Sequence, residues 1–264
     1  MIRFQKSFKT KFFWIIGIIC LLFIIAPILH IFIKVSAERL IETLKDQAVW
    51  KAIFTSLWGA LWATILGCLL GVPLAYLLAR SEFKGKSFVE SIINLPVAIP
   101  HVAAGIALLS LLNPRTTVGK FFSLFHITFT DTIYGVIIAM LFVSLSFVIG
   151  AAITGFDNVE EDIEMVSRSL GASPSYTFWH ITLPLAFPAI LRGAVLAFAR
   201  SISEVGALLV IAYYPKTAPI IMLDRFEQYG LTSARPVTVL VIVVSLILFF
   251  VLFYLSKRYA ESRC

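Results

Sequence analysis

The stretch NVEEDIEMVSRSLGASPSYTFWHITLPLAFP, residues 158–188, decides the fold of this 264-residue chain. It is a polar segment with two successive helical patterns, and it lies between two long apolar segments. A loop that only joins two membrane spans is usually short, whereas this one carries capping residues and a glycine hinge. We therefore expect the segment to dock onto another protein.

The composition is that of a polytopic helical membrane protein. Hydrophobic residues make up 59% of the chain and charged residues 14%, whereas a soluble domain has about 25% charged residues. The apolar residues form runs of about 20, long enough to cross a hydrocarbon core of about 30 Å. The net charge of +7 comes from Lys and Arg residues at the ends of these runs, which indicates contact with headgroups and excludes a nucleic-acid partner.

The hydropathy pattern predicts six spans, at about residues 12–33, 52–79, 89–112, 132–155, 184–212 and 236–256. The first run is too long for a signal peptide and lacks a cleavage site, so we interpret it as an uncleaved span. Prolines interrupt the third and fifth spans at Pro96, Pro100, Pro184 and Pro188. Proline frees backbone carbonyls that neighbouring helices must satisfy, so these two spans are expected to face protein.

An even number of spans places both termini on one side of the membrane. The basic residues that decide the orientation are Arg3, Lys6, Lys9, Lys11, Arg80, Lys84, Lys86, Lys257, Arg258 and Arg263. The positive-inside rule puts these residues in the cytosol. We therefore expect a multi-pass protein of the cytoplasmic membrane with cytosolic termini, and residues 158–188 on the same side.

Residues 37–48 form an amphipathic pattern between the first two spans. Its apolar positions are Ala37, Leu40, Ile41, Leu44 and Ala48, and the opposite face carries Glu38, Arg39, Glu42, Lys45 and Asp46. This predicts an interfacial helix on the outer surface. A connector with no role beyond anchoring is the simplest interpretation.

A first short helix is predicted at the start of the 158–188 segment. Asp157 or Asn158 is expected to cap it, with acidic residues in its first turn. A single apolar stripe then consists of Val159, Ile163, Val166 and Leu170.

A second short helix follows a glycine hinge. Gly171 suits the left-handed position after a helix end, and Ser173-Pro174 suits a cap and first helical residue. Leu183-Pro184 is expected to end this helix. Its apolar residues are Tyr176, Phe178, Trp179 and Ile181, which favours either a hairpin on the membrane surface or a knob inserted into a groove of a cytosolic partner.

The spacing of Gly171, nine residues, Ile181, one residue and Leu183-Pro184 resembles the EAA loop of ABC importer permeases, written EAA-x3-G-x9-I-x-LP. The three EAA positions are Met165, Val166 and Ser167 here, so those letters are not kept. Further strings are similar to the molybdate/tungstate permeases, with sulfate permeases as near relations: LPVAIPHVAAGIALL (95–109), AMLFVSLSFVI (139–149), FARSISEVGALLVIAYYPKTAP (198–219) and YGLTSARPV (229–237).

The resemblance implies an all-α polytopic membrane protein with six transmembrane helices, an outer interfacial helix and a cytosolic coupling-helix loop. It implies one permease domain over 1–264, with a cytosolic tail at 1–11, a core at about 51–253 and the coupling loop at 157–183. The residues expected to contact the ATPase are Gly171, Ala172, Ser173, Pro174, Ser175, Tyr176, Thr177, Phe178 and Trp179.

The resemblance also implies the function and the partners. The chain is expected to be the membrane-spanning subunit of an ATP-driven importer of molybdate or tungstate, or alternatively of sulfate or thiosulfate. Its expected partners are a second copy, two ABC ATPase subunits and an extracellular oxyanion-binding protein. Gly85-Lys86-Ser87 lacks the earlier glycine of a phosphate-binding loop, since position 80 is Arg80. ATP and Mg²⁺ are therefore expected on the ATPase, with no cofactor and no catalytic residue in this chain.

Ionisable and small residues within the spans are candidates for the anion path and its gate. They are Arg200, Ser201, Ser203 and Glu204 in the middle of the predicted fifth span, and Pro96, Pro100 and Gly105 in the third. The simpler interpretations are an ion pair between Arg200 and Glu204 and a kinked, closely packed third span. The functional interpretations are weak anion contacts and a gate-lining helix.

The remaining polar residues give weaker signals. Asp224, Arg225, Glu227, Tyr229 and Arg235 are expected in an outer loop that is either solvated or contacts a substrate-delivering protein.

The cysteines and the carboxylates argue against other classes of protein. Cys20, Cys68 and Cys264 make neither a disulfide framework nor a metal site. A secondary transporter would need matched repeats and a coupling carboxylate, for which Glu204 is the one plausible residue. A membrane-embedded enzyme would need a nucleophile–base pair or a metal cluster, which the sequence lacks.

Overall fold

The computed structural model describes residues 8–261, and these residues are helical without strands. The helices are α1 Phe8–Ile33, α2 Ala37–Lys45, α3 Gln47–Arg80, α4 Lys86–Ala98, α5 His101–Leu112, α6 Thr117–Ser123, α7 Ile133–Asp157, α8 Glu161–Ser169, α9 Pro174–Thr177, α10 Leu183–Ile202, α11 Leu208–Ile211, α12 Ala218–Tyr229 and α13 Leu231–Glu261. Arg3, Lys6, Arg263 and Cys264 lie outside the described residues, as do the side chains of Lys9, Lys11 and Lys257.

The six-span architecture is confirmed, with one span broken. Five helical segments are long and apolar enough to cross a membrane: Phe12–Ile33, Gln47–Arg80, Ile133–Asp157, Pro174–Ile202 and Leu231–Ser256. The sixth is the pair α4 and α5, which bends by 110° at its break. The break falls at Ile99 and Pro100, where both residues leave the helical conformation. The third span is therefore not one kinked helix, because Pro100 cannot continue the hydrogen-bond ladder of α4.

Helix α7 packs against α3 on one side and against α10 on the other, and small residues allow the close approach. A Cβ atom added at Gly71 of α3 would lie 2.9 Å from Ile149 Cγ1 of α7. A Cβ atom added at Gly193 of α10 would lie 2.4 Å from Ala151 Cβ of α7. These three helices form the centre that positions the loop at 157–183.

The fifth span is shorter than predicted. Helix α10 ends at Ile202, not near residue 212, because the chain turns at Ser203 and forms the separate short helix α11. Glu204 Oε1 accepts a hydrogen bond from the Ala207 backbone N–H at 2.8 Å, which stabilises this turn. Arg200 and Glu204 therefore lie at the C-terminal end of α10 and just beyond it, not in the middle of a span.

The predicted interfacial helix is present as α2, which ends at Lys45. Asp46 then caps α3 by accepting a hydrogen bond from the Ala48 backbone N–H at 2.8 Å, so Ala48 belongs to α3. Ile41 and Leu44 are 52% and 44% exposed. An apolar face that the protein leaves uncovered is what an interfacial helix needs.

The predicted outer polar loop is a helix in the structure. Residues 218–229 form α12, and Asp224 is buried within it, so the expectation of a solvated loop is wrong for Asp224, whereas Glu227 and Tyr229 are exposed. Asp224 accepts hydrogen bonds from the Tyr213 hydroxyl at 2.6 Å and from Lys216 Nζ at 2.5 Å. These bonds raise the pKa of Tyr213 and the pKa of Lys216. Because two donors satisfy the buried carboxylate, it does not need water as a hydrogen-bond partner.

Candidate functional site

The hinge between α8 and α9 has the geometry that the sequence predicts. Gly171 has φ of +91°, in the left-handed region. Its N–H donates to Arg168 O at 3.0 Å, and the Ala172 N–H donates to Ser167 O at 3.2 Å. A Cβ atom at Gly171 would meet nothing within 4 Å. Backbone conformation, and not space, therefore requires glycine here.

The start of α9 also matches the prediction, but its end does not. Ser173 Oγ accepts a hydrogen bond from the Tyr176 N–H at 3.2 Å, and Pro174 is the first helical residue. Leu183-Pro184 does not end this helix, because a π-helical turn over Phe178–Thr182 carries it into α10. The Leu183 N–H bonds to Phe178 O five residues back. This wide turn accommodates the proline, which has no N–H and would clash in a tighter helix.

The first helix of the loop differs from prediction in its cap, and most of its predicted apolar stripe is exposed. Asn158 ends α7, and α8 begins after Glu160, which makes no side-chain cap. Of the predicted apolar stripe, Val159 is buried, but Val166 is 58% exposed and Leu170 is 84% exposed. Ile163, the remaining residue of the stripe, is 41% exposed. The stripe does not face the protein core.

The buried face of α8 is polar. Glu164 is 2% exposed and Ser167 is 7% exposed. Arg80, at the end of α3, donates to Glu164 Oε1 from Nε at 2.9 Å and from Nη2 at 2.8 Å. The same guanidinium donates to Val159 O at 2.9 Å, and the Tyr76 hydroxyl lies 3.4 Å from Glu164 Oε2. A charged pair with these additional hydrogen bonds is satisfied although it is buried, and it attaches α8 to α3.

The second half of the loop is held by a hydrogen bond to α8 and by a ring contact with α3. Ser167 Oγ and Thr177 Oγ1 are 3.0 Å apart and buried. Phe178 packs edge-on against Tyr76 with ring centroids 4.7 Å apart. Two of the predicted ATPase-contacting residues are therefore turned inward: Thr177 is buried against Ser167 of α8, and Phe178 packs against Tyr76 of α3.

The outward side of the loop is an apolar surface. We call it the coupling surface, and it consists of Met165, Val166, Leu170, Tyr176 and Trp179, which are 54%, 58%, 84%, 53% and 61% exposed. A cluster of this kind on a fixed scaffold is typical of a protein-binding site.

A charged cluster occupies the other end of α10. Arg200 Nη2 donates to Glu204 Oε2 at 2.8 Å and lies 2.8 Å from His101 Nε2. Arg200 Nη1 donates to Ser203 Oγ at 3.4 Å. A cavity of about 460 Å³ opens beside these side chains, and Pro100 lies in its wall. The predicted ion pair of Arg200 and Glu204 is confirmed as a contact.

Three predicted path residues do not join this cluster. Pro96 lies in α4, on the far side of the bend. Ser201 is fully buried, and its hydroxyl has no hydrogen-bond partner among the described residues. A Cβ atom at Gly105 would lie 2.6 Å from Ala207 O, so Gly105 serves close packing.

His101 belongs to the cluster, although its contact with Arg200 was not predicted. It is the first residue of α5, directly after the break in the third span, and a Cβ atom at Gly206 would meet His101 Cβ at 2.6 Å. The one feature of the sequence that could have indicated His101 is its position directly after Pro100. Among the described residues, no group of three or more His, Cys, Asp or Glu side chains could hold a metal ion.

Comparison with solved structures shows the same fold. A bacterial alginate ABC transporter in complex with its alginate pentasaccharide-bound periplasmic protein has a chain that matches with a TM-score of 0.73 and 17% identity, covering 96% of this chain and 98% of that one. A chain of the MetNI methionine ABC transporter in an inward-facing conformation matches with a TM-score of 0.60 and 17% identity, covering 82% of this chain and 94% of that one.

Sequence comparison identifies the family. The family model described as "Binding-protein-dependent transport system inner membrane component" matches residues 71–264. The molybdate/tungstate transport system permease protein WtpB of Pyrococcus furiosus is 43% identical over 260 residues, covering 96% of this chain and 98% of that protein. WtpB of Thermococcus kodakarensis is 41% identical over 256 residues, with the same coverage. The sulfate transport system permease protein CysT of Synechocystis is 33% identical over 196 residues, 72% of this chain and 68% of that protein. This chain therefore belongs to the molybdate/tungstate permease family, within the inner membrane components of binding-protein-dependent ABC importers.

Proposed function

We propose that this chain is the membrane-spanning subunit of an ATP-driven importer that carries molybdate or tungstate into the cell. The observation that carries the proposal is the 41% identity to permeases of that name over 96% of the chain. The proposed assembly contains two copies of this chain, two ATPase subunits and an extracellular oxyanion-binding protein. The termini and the loop at 157–183 then face the cytosol.

The cytosolic loop is the proposed contact with the ATPase. The coupling surface would fill a groove of the ATPase, with Gly171, Ala172, Ser173, Pro174 and Ser175 forming the turn at its edge. The ATPase supplies ATP and Mg²⁺ binding, so this chain needs no cofactor and carries out no covalent chemistry.

The attachments of the loop explain how a movement of the ATPase would reach the membrane. Helix α8 is held to α3 through Glu164 and Arg80, and α9 is continuous with α10 through the π-turn. A displacement of the coupling surface would therefore move α3 and α10 together. In the proposed cycle, ATP binding draws the two loops together and opens the path outward, and hydrolysis returns it to the inward-open state.

The cluster at the outer end of α10 is the proposed entrance contact for the anion. Arg200 attracts an oxyanion, but Glu204 at 2.8 Å compensates most of that attraction. The Ser203 hydroxyl is exposed, but it donates its proton to Arg200 O at 2.9 Å and would have to release that bond to contact an anion. Weak contacts suit a transport path, because a tightly held anion would leave slowly.

Sulfate is the second candidate substrate, because relatives named as sulfate permeases match 72% of this chain at 33% identity. A secondary transporter is disfavoured by membership in a family of binding-protein-dependent systems. The test is uptake into liposomes that contain this chain with its ATPase and binding protein. We expect ATP-dependent uptake of radiolabelled molybdate and tungstate with little sulfate uptake. Uptake driven by an ion gradient without ATP would overturn the proposal. Uptake of sulfate alone would keep the ABC importer assignment and identify sulfate as the substrate.

A further inference from the structure

Arg192 is a charged residue for which the proposed function gives no role. It stands nine residues after the first residue of α10 and ten residues before the last, which places it about 14 Å from either end of the helix. In the described membrane-spanning helices, every other Lys, Arg, Asp and Glu lies within four residues of a helix end. Arg192 is therefore the deepest charge in the described part of the chain.

Arg192 has no partner among the residues that the structure describes, and its side chain is exposed. Arg200 on the same helix differs, because Glu204 neutralises it at 2.8 Å. A charged side chain at the centre of a bilayer is costly, and such residues face the bundle interior or a water-filled cavity. The uncompensated guanidinium therefore indicates that this side of α10 does not face lipid.

The exposed residues of α10 and its terminal turn show which side this is. They are Leu185, Arg192, Leu196 and Ser203, separated by seven, four and seven residues. That spacing places all four on one stripe of the helix. The stripe leads from the cytosolic loop to the cavity of about 460 Å³ beside Ser203 and Arg200.

We propose that Arg192 is a second contact for the transported oxyanion, on the cytosolic side of the Arg200 cluster. This inference rests on the proposed function. The ligand class is a small tetrahedral dianion, because a guanidinium offers several N–H donors in a planar fork that matches oxyanion geometry. An anion that leaves the neutralised Arg200 would meet a full positive charge deeper in the membrane. With two copies of the chain, the path receives one Arg192 from each.

The first test compares Arg192→Gln, Arg192→Lys and wild type in the reconstituted complex. We expect Arg192→Gln to lower ATP-dependent tungstate uptake about tenfold, as expected when a charge-assisted contact is lost, with ATP hydrolysis retained. Arg192→Lys should keep most of the uptake. Lys51→Gln, which removes an exposed cation near the outer end of α3, is the matched control and should behave as wild type.

Two outcomes of this test would overturn the proposal. Unchanged uptake in Arg192→Gln would show that the anion does not depend on this charge. Failure of Arg192→Gln to assemble, with assembly restored by Arg192→Lys, would show that Arg192 pairs with a carboxylate of a second copy. Absence of ATP-dependent uptake in wild type would instead contradict the proposed function, and the second test would then decide the role of Arg192.

The second test measures whether position 192 meets water and the anion, without requiring transport. Arg192→Cys is made in a chain whose three natural cysteines are replaced by Ala, and is treated with a membrane-impermeant charged thiosulfonate in the detergent-solubilised complex. We expect labelling that tungstate slows. Ala197→Cys, at a fully buried position of the same helix, should not label. No labelling at 192, or labelling that tungstate leaves unchanged, would contradict the proposal.

Discussion

Arg80 and Glu164, 84 residues apart in sequence, are joined by two hydrogen bonds of 2.9 and 2.8 Å beneath the loop at 157–183. Their side chains are only 13% and 2% exposed. The pair connects the last turn of a membrane-spanning helix to a helix of the proposed ATPase contact. It is therefore the direct mechanical link between the coupling surface and α3.

Removing one member of this pair should destabilise the loop and weaken coupling. We expect Glu164→Gln or Arg80→Met to cost about 3 kcal/mol of unfolding free energy, because the remaining group stays buried without its partner. Thermal unfolding in detergent measures the stability, and ATP hydrolysed per anion transported measures the coupling. The double variant Arg80→Met with Glu164→Leu should recover much of the stability of either single variant. Single variants as stable as wild type would show that the pair is not needed.

Charge placed at the hinge or on the coupling surface should release the ATPase. Gly171→Asp and Trp179→Asp are expected to abolish co-purification of the ATPase, because a carboxylate in an apolar groove is desolvated without a partner. The spans should remain folded, as judged by size-exclusion chromatography of the chain alone. Tyr134→Asp, at an exposed position at the outer end of α7, is the matched control. If Gly171→Asp still holds the ATPase and transports normally, the assignment of this surface is wrong.

Removing the carboxylate of Glu204, which compensates the charge of Arg200, should slow transport by strengthening anion binding. We expect Glu204→Gln to lower ATP-dependent uptake several-fold while raising equilibrium binding of tungstate to the complex, because Arg200 then presents its full charge. A Gln oxygen can still accept the Ala207 N–H, so the turn should persist. Binding and uptake that both fall would indicate that Glu204 only supports the turn.

The Lys216–Asp224 pair should make the attachment of α12 sensitive to alkaline pH. The hydrogen bond to Asp224 raises the pKa of Lys216, so the folded state holds this proton more tightly than the unfolded state. Its stabilisation is fully present below the unfolded pKa of about 10.4 and is lost as pH rises through the higher folded pKa. Tyr213, whose pKa is raised by the same carboxylate, acts in the same direction. Melting temperatures of wild type and Lys216→Gln, measured from pH 8 to pH 11, should converge at the alkaline end.

Local sequence signals predicted the features that depend on near neighbours. The number of spans, the left-handed turn at Gly171 and the cap at Ser173 follow from hydropathy and from hydrogen bonds between residues a few positions apart. The interfacial helix α2 follows from the helical spacing of its apolar residues.

Which face of each helix is buried was decided by tertiary structure. The apolar stripe of α8 was predicted from the spacing of its residues, but the buried face is the one with Glu164, because Arg80 at the end of α3 pairs with it. The position of His101 beside Arg200 depends on a contact between residues 99 positions apart. Arg192 is visible in the sequence, but that it lacks a partner is a property of the packed chain. Hydropathy ranks residues one at a time, whereas burial of a charge depends on a partner that only the fold brings near.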